Sequence, residues 1–498
     1  MNDPNLHLFA DNKELNHYTN VMRSINKPRK LEEPVLVSDK PWEKGCRLAA
    51  WGSVVREKSG LFRMWYFSFN GARHPETKSN GGYCYAESTD GIHWEKPPLN
   101  LYEWNGSTEN NYFFQFGKGE AMELAARGEG ITGYDRHGNV TGILNNMDGL
   151  TVVRDDYDEN PDRRYKLIAN MQDHRMFAYA YPEAYPGVSY EESMSYWKEP
   201  FGQYVMTSPD GIIWDGKPVK VKGNCNGDYM MVTKDERNKR WWLNERPYSD
   251  SARNAGLNIS DDIYRWDNPT ENIFFNDETT GFGRIHEWHA GMTPFNYGGQ
   301  NLGFLEVWSN LGFGSGFELI SQREGDEWKR VVPGVNFFET GPEKSFDRLL
   351  AYPLHNAPII MGDEIYIYYN GIPGPEGKYA DVTGGVGLAV IGLDRFVAFT
   401  HQRYDPGIVL TKVIEPATDI LQINMEPFSG GYVKVAVKDA ENKDIPGYTL
   451  DDCIPIEKNC YRGQVRWNGH NDLNELRGKK IRLRFIIHGA ALYSYRWA

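Results

Sequence analysis

Ser88-Thr-Asp90-Gly91-Ile92-His-Trp94 is a tight turn with an aromatic anchor, and it runs on into Glu-Lys-Pro97. The same pattern returns as Ser208-Pro-Asp210-Gly211-Ile212-Ile-Trp214, followed by Asp-Gly-Lys-Pro218. It returns again as Ser260-Asp-Asp262-Ile263-Tyr-Arg-Trp266, followed by Asp-Asn-Pro269. Ser321-Gln-Arg-Glu-Gly325-Asp-Glu-Trp328 is a looser fourth copy, and Ile391-Gly-Leu-Asp394-Arg-Phe396 stands where a fifth belongs. In each, Ser begins the turn, Asp-Gly tightens it, and the aromatic plugs the gap beneath. The anchors lie 120, 52, 62 and 68 residues apart. A propeller blade usually takes ~40–50 residues, so these blades carry long loops, the first interval most of all.

An aromatic-rich or alternating segment precedes every copy: Phe62–Phe69, Arg164–Ala169, Arg240–Leu243, Leu302–Trp308 and Ile365–Tyr369. Each is itself preceded by a turn and another apolar segment. Four short strands repeated five times give an all-β, five-bladed β-propeller. The alternative is one large β-sandwich with coincidental Asp-Gly turns. After about residue 406 the pattern changes to strict alternation, as in Val433, Val435, Val437 and in Ile481, Leu483, Phe485. Period two with one wet face reads as an antiparallel sandwich. The expected organisation is an N-terminal segment (1–45) packing on the propeller, a propeller (46–405), and a C-terminal β-sandwich (406–498). The best helix candidate is short, Glu191–Trp197, inside the first long interval.

Composition narrows the function. The 498 residues carry a net charge of −13 without long basic runs, which speaks against nucleic acid and anionic membranes as partners. No apolar stretch approaches the ~18–20 residues of a membrane helix. The opening MNDPNLHLFADNKELN has no apolar core, so it is not a signal peptide. The reading is a cytoplasmic protein, or a periplasmic or secreted one whose leader has been removed. Aromatics make up 14% of the chain, a load that suits sugar-stacking surfaces. The five cysteines show no zinc-type spacing and read as reduced thiols; a Cys453–Cys460 bridge stays open. Phosphate loops, nucleophile elbows and dinucleotide fingerprints are absent.

In a propeller the innermost strands line a central funnel, and their side chains meet at one mouth. Here those strands are the segments before the aromatic ones: Ala49–Val55, Met147–Val153, Asn226–Val232, Arg284–Gly291 and Leu349–His355. Asp148, Asp228, Glu287 and Asp347 then fall near the starts of four of them. Neighbouring carboxylates raise one another's pKa, separating an acid from a base. Glycoside hydrolysis needs that pair, one to protonate the leaving oxygen and one to attack or to activate water. The expected catalytic residues are Asp148, Asp228 and Glu287. Each has an ordinary alternative as a turn cap or strand-end ion pair. The expected substrate-binding residues are Glu43, Trp51, Arg246, His286, Trp288, His289, Asp347 and His355. Tyr352 and Trp308 are further stacking candidates, Trp308 more simply as core. No cofactor is expected. A divalent cation stays open, although the histidines lack metal-ligand spacing.

These segments resemble a family group. The Ser-x-Asp-Gly-Ile-x-Trp elements, Pro-Trp42-Glu43, Gly362–Gly371 and Leu388–Phe396 look like bacterial glycosidase-like five-bladed propellers, similar to glycoside hydrolase families 32 and 43. The resemblance covers roughly residues 7–405, and the C-terminal sandwich matches a domain that often follows such propellers. It implies a glycosidase acting on chain ends or short chains, with three funnel acids from the first three blades. The sequence departs from the pattern in blade 1, where Ala50-Trp51-Gly52-Ser53 carries no acid. Asn2-Asp3-Pro4-Asn5 looks like the missing motif but lies at the extreme terminus. The Arg-Asp-Pro and Glu-Cys signatures of invertases are absent.

The leading expectation is therefore a glycoside hydrolase with a carbohydrate substrate. A propeller polysaccharide lyase would instead use His286, His289, His355 or Tyr352 as base and Arg246 against a uronate. A carbohydrate-binding propeller without catalysis is the third reading. Oligomeric state stays open.

Overall fold

The computed structural model describes residues 3–44, 47–69, 81–115, 132–134, 140–143, 146–172, 187–195, 202–223, 230–246, 254–274, 287–309, 315–379, 384–401 and 404–498. Five antiparallel sheets account for most of it. Blade 1 is Arg47–Arg56, Phe62–Phe69, Gly81–Ser88 and Tyr112–Gln115, from innermost to outermost. Blade 2 is Asn146–Arg154, Tyr165–Gln172, Gly202–Ser208 and Asp215–Lys222. Blade 3 is Met230–Asp235, Arg240–Glu245, Ala255–Ser260 and Glu271–Phe274. Blade 4 begins Glu287–Tyr297, Gln300–Ser309, Ser315–Gln322, with Lys329–Arg330 and Asn336–Glu339 both on its outer edge. Blade 5 is Leu350–Pro353, Glu364–Ile372 and Gly385–Gly392, with Ile359–Met361 also pairing its second strand. The fold is the five-bladed propeller with a C-terminal sandwich. The expected short helix forms at Tyr190–Ser195.

The second strand of a blade is apolar throughout because both its faces are covered. Phe62, Met64 and Tyr66 turn toward blade 5, packing with Tyr368 and Leu388. Trp65 and Phe67 turn the other way, against Tyr165 and Leu167 of blade 2. The repeated turns lie in these seams. The Gly91 carbonyl accepts the Tyr368 hydroxyl at 2.7 Å, so the blade 1 turn docks on blade 5. The Gly211 carbonyl accepts the Trp65 indole at 2.6 Å, so the blade 2 turn docks on blade 1. Ile263 and Trp266 pack with Ile168 of blade 2. Trp328 meets Trp242 of blade 3 edge-on, centroids 6.4 Å apart. Phe396 packs on Tyr297 of blade 4 at 4.9 Å, and the Tyr297 hydroxyl donates to Asp394 at 2.6 Å. Every turn seats against the preceding blade, and the fifth step returns to the first. Within the turns, the Asp90 carboxylate accepts the Ile92 and His93 amides and the Ser88 hydroxyl accepts that of Gly91. Asp210 and Ser208 repeat the pattern.

The inner strands belong to different sheets, so their backbone donors lack ladder partners across the seams. Side chains supply them. The Val152 amide donates to Ser53 Oγ at 3.0 Å, and that of Val54 to Asn356 Oδ1 at 3.0 Å. The Met292 amide reaches Asn244 Oδ1 at 2.8 Å. His355 crosses from blade 5 to blade 2, its Nδ1 3.2 Å from both the Leu150 carbonyl and Thr151 Oγ1. It is buried, as are Leu150 and Tyr352. Burial drops the His355 pKa to about 3, against the opposing effect of the Leu150 carbonyl.

The N-terminal segment serves two partners. Arg29–Lys30 and Leu36–Val37 pair with Gly385–Gly392 and finish blade 5. Leu6–Leu8, Leu15–Thr19 and Met22–Ile25 join the C-terminal sheet, pairing with Ile481–Trp497, Gly407–Thr411 and Val397–Thr400. The sandwich is therefore built from both ends of the sequence, around the long strands Leu421–Asp439 and Ile481–Trp497. Arg395, from the fifth turn, fastens it to the propeller. Its guanidinium lies between the rings of Tyr461 and Tyr493, 4.3 and 4.8 Å from their centroids, and its Nε donates to Asn424. Cys84, Cys453 and Cys460 are free thiols, so the Cys453–Cys460 bridge does not form. Among the described residues, no helix is long and apolar enough to cross a membrane.

Two consequences are measurable. Gly211 has φ +75°, and a Cβ there would stand 2.7 Å from Trp65 Cζ2. Gly211→Ala should cost about 2–4 kcal/mol, from left-handed strain plus overpacking of the seam. Gly60→Ala, at φ +96° with nothing within 4 Å, should cost only the strain, about 1–2 kcal/mol. Equal losses in urea unfolding would show that the turn does not carry the seam. Second, the stability linked to His355 is present above its unfolded pKa of ~6.5 and is lost as pH falls toward 3, because only the unfolded chain takes up the proton. Between pH 6.5 and 5 the wild type should lose about 2 kcal/mol more than His355→Asn. Parallel losses would place the imidazole in contact with water.

Candidate functional site

The inner strands begin at one mouth of the funnel and end at the other. Their last residues converge: Val54–Arg56, Val152–Arg154, Val232–Lys234, Phe295–Asn296 and His355–Ile360 line a common cavity. Their first residues therefore share the opposite, upstream mouth. Second strands finish and third strands start there too. Buried polar side chains gather at this mouth, as they also do at the downstream one, where Asp155, Lys166, Asp235, Asn296 and Asn301 are buried. Asn170, Asn244, Glu245, Glu306 and Asn370 stand near the ends of second strands, and Gln203 and Asn254 near the starts of third strands; all are buried. At the downstream mouth the equivalent level is Val54, Val152, Val232 and Phe295. Burying polar groups costs free energy unless they are paired, so each of these groups calls for a partner.

Two carboxylates lie in this group. Glu245 of blade 3 accepts from Gln203 Nε2 of blade 2 at 2.6 Å, and also from Lys222 and Thr270. Glu306 of blade 4 is 1% exposed and accepts the indole N–H of Trp308. Neither stands on an inner strand, where the sequence places the expected acids. The available signal was an acid inside an otherwise apolar run, Leu302-Gly-Phe-Leu-Glu306-Val-Trp308. The inner strands are also irregular here. Register shifts fall between Ala49 and Ser53, Asp148 and Thr151, and His289 and Gly291. Such bulges bend a strand and re-aim its side chains, and they collect beside active sites.

The residues expected from sequence divide into three groups. Asp148, Glu287, Trp51 and Trp288 have described backbone at the upstream ends of their inner strands: Asp148 pairs with Asn170, Glu287 with Ser309 and Trp288 with Trp308, while Trp51 falls inside the blade 1 bulge. Their side chains lie outside the described residues, as do Asp228 and His286 altogether. Arg246 follows the last residue of the blade 3 second strand, half-buried at this mouth. His289 is buried, its Nε2 against the Arg330 guanidinium, which also lies 3.5 Å from Glu318.

The remaining three sit elsewhere. Glu43 is fully buried beside the blade 5–blade 1 seam, 2.6 Å from Lys96 Nζ and 2.5 Å from the Tyr66 hydroxyl. Burial pushes its carboxyl above the ordinary range, with Lys96 pulling the other way. Asp347 is 2.6 Å from Lys30 Nζ, on the outermost strand of blade 5, and accepts from Ser345 at 2.7 Å. Both carboxylates are enclosed in ion pairs that hold the N-terminal segment, and a buried pair gives up neither partner cheaply. His355 lies at the downstream mouth, 1% exposed. Asp3, in the terminal motif, pairs with Arg496 of the sandwich, far along the chain from any inner strand. Among the described residues, no three His, Cys, Asp or Glu side chains gather as a metal-holding group.

No protein-family model matches the sequence. No curated protein matches it. Solved structures with a similar fold include an N-acetylgalactosamine deacetylase from F. plautii in complex with blood group B trisaccharide. That similarity covers 76% of this chain and 97% of the other at 11% identity, with a TM-score of 0.45. A β-1,2-mannobiose phosphorylase from Listeria innocua is similar over 75% of this chain and 98% of its own, at 12% identity and a TM-score of 0.44. A fructofuranosidase from Schwanniomyces occidentalis complexed with fructosylnystose extends over 96% of this chain and 99% of its own, at 10% identity and a TM-score of 0.39.

Proposed function

We propose that the protein is a glycoside hydrolase whose active site is the upstream mouth of the propeller. One observation carries this reading: the buried carboxylates Glu245 and Glu306 and five buried amides stand at that mouth, next to the strand starts that bear Asp148 and Glu287. Asp228 lies two residues before the first described residue of blade 3. In this reading Asp148, Asp228 and Glu287 supply the acid and the base or nucleophile. A low-dielectric, acid-rich mouth keeps one carboxyl protonated while another stays charged, which is the division of labour that glycosidic cleavage requires. Glu245, already saturated by Gln203, Lys222 and Thr270, positions the seam between blades 2 and 3 rather than reacting. Trp51 and Trp288 offer flat apolar faces for sugar rings, and Arg246 a cation at the rim. The substrate is a carbohydrate of which the mouth accepts one end.

The test is a panel of aryl glycosides and natural oligosaccharides, read by reducing-sugar release and by absorbance of a new carbon–carbon double bond. Release without new absorbance is the expected result. New absorbance would assign a lyase, and calorimetric binding without product would assign a sugar-binding propeller. On a substrate so found, Glu287→Gln should lower kcat about 10²–10⁴-fold with its melting temperature unchanged. Near-wild-type turnover in a folded Glu287→Gln would remove Glu287 from the mechanism. Asp148→Asn and Asp228→Asn should each show losses of similar size.

A further inference from the structure

We infer that the downstream mouth of the funnel is a second ligand site, shaped for a small molecule with an apolar body and a single carboxylate. The cavity there measures about 400 Å³. Sites for small molecules span ~300–1,000 Å³ and combine an apolar lining with a few polar groups. Val54, Val152, Val232 and Phe295 form its floor, one from each of four blades. Its lining comes from the ends of the inner strands and includes none of Asp148, Asp228 and Glu287, the residues of the proposed active site.

The charges select the ligand. Four basic side chains line the cavity, Arg56, Lys58, Arg154 and Lys234, against two acidic ones, Asp156 and Glu236. The lining alone thus has an excess of two positive charges, while Glu57 and Asp155, which pair with Arg154 and Lys234, lie outside it. Arg154 is committed to Glu57 and Asp156, at 2.5 and 3.0 Å, and Lys58 lies 3.8 Å from Asp156. Arg56 has no ion pair among the described residues, and Lys234 has one, with Asp155. Among the described residues neither donates a hydrogen bond. Arg56 lies over the Phe62 ring at 5.7 Å. Lys234 stands by Tyr157 and Trp241, 5.1 and 5.2 Å from their centroids, and its closest carboxylate oxygen, on Asp155, is 3.9 Å away. Burial holds the Lys234 ammonium below its ordinary pKa, with Asp155, Asp156 and Glu236 opposing. Two cations whose side chains donate no hydrogen bond among the described residues, from blades 1 and 3, thus flank an apolar lining. The carboxylates of Asp156 and Glu236 on the same rim disfavour further negative charge, which favours a monocarboxylate over a phosphate or a diacid.

The probe is 4-phenylbutyrate, with 4-phenylbutan-1-ol as its neutral counterpart, titrated calorimetrically into the full-length protein at low ionic strength. The acid should bind at least tenfold more tightly than the alcohol. Arg56→Met and Lys234→Met should each weaken the acid at least tenfold and leave the alcohol unchanged. Lys234 packs on two rings, so its variant is checked by thermal unfolding; Arg56 is exposed and its variant tests the site alone. No binding of the acid, equal binding of acid and alcohol, or undiminished binding by Arg56→Met would each overturn the proposal. Persistence of acid binding in Glu287→Gln is expected, because that residue belongs to the other mouth.

Discussion

Each blade depends on its neighbour for the cover that its own sheet cannot provide. A four-stranded sheet has two apolar faces and no helix to bury them, so the faces must meet other blades, and a plug must fill the wedge where flat sheets diverge. The repeated turn is that plug. Gly91 under Tyr368 and Gly211 under Trp65 show how close the approach is, since a Cβ at either position would fall within 2.7 Å of the ring or hydroxyl above it. Where glycine is missing, Asp394 adopts φ +63° and uses its carboxylate to hold Tyr297 instead. The heavy aromatic content is explained by these seams, where rings serve as spacers of fixed shape.

The same constraint decides where chemistry can reside. Seams are apolar along much of their length, and polar side chains within them, such as Ser53 and Asn244, serve to cap neighbouring backbone. The upstream mouth holds buried amides and the acids Glu245 and Glu306. The downstream mouth lines its cavity with Val54, Val152, Val232 and Phe295, and buries Asp155, Asp235 and Asn296 beside it.

Local chemistry made the propeller legible in the sequence. Ser-x-Asp-Gly turns and doubly apolar second strands leave marks within a dozen residues, and these give the blades and their order. What depends on distant pairing left no such mark. Nothing in Arg29–Val37 announces that it finishes a sheet more than 340 residues away, nor in Leu6–Ile25 that it joins the sandwich. The acids were only half legible for the same reason. Asp347 and Asp148 look alike beside an inner strand, but Asp347 faces Lys30, a partner that only the ring closure brings into reach. Glu245 and Glu306 were overlooked because their strands read as core, and it takes the assembled mouth to show that core turning polar.

The double use of the N-terminal segment also orders the folding of the chain in time. Leu36–Val37 leave the ribosome early, yet their partners at Gly385–Val386 are made about 350 residues later. At ~5–20 residues per second, the first strands wait roughly 20–70 s before an edge exists to receive them. Blades 1 to 4 can stack meanwhile, but blade 5 stays open and the sandwich lacks its core. The growing chain thus displays unpaired strand edges throughout synthesis. A protein built this way closes late, with both ends arriving together, and its vulnerability to misassociation lies in that interval rather than in the finished ring.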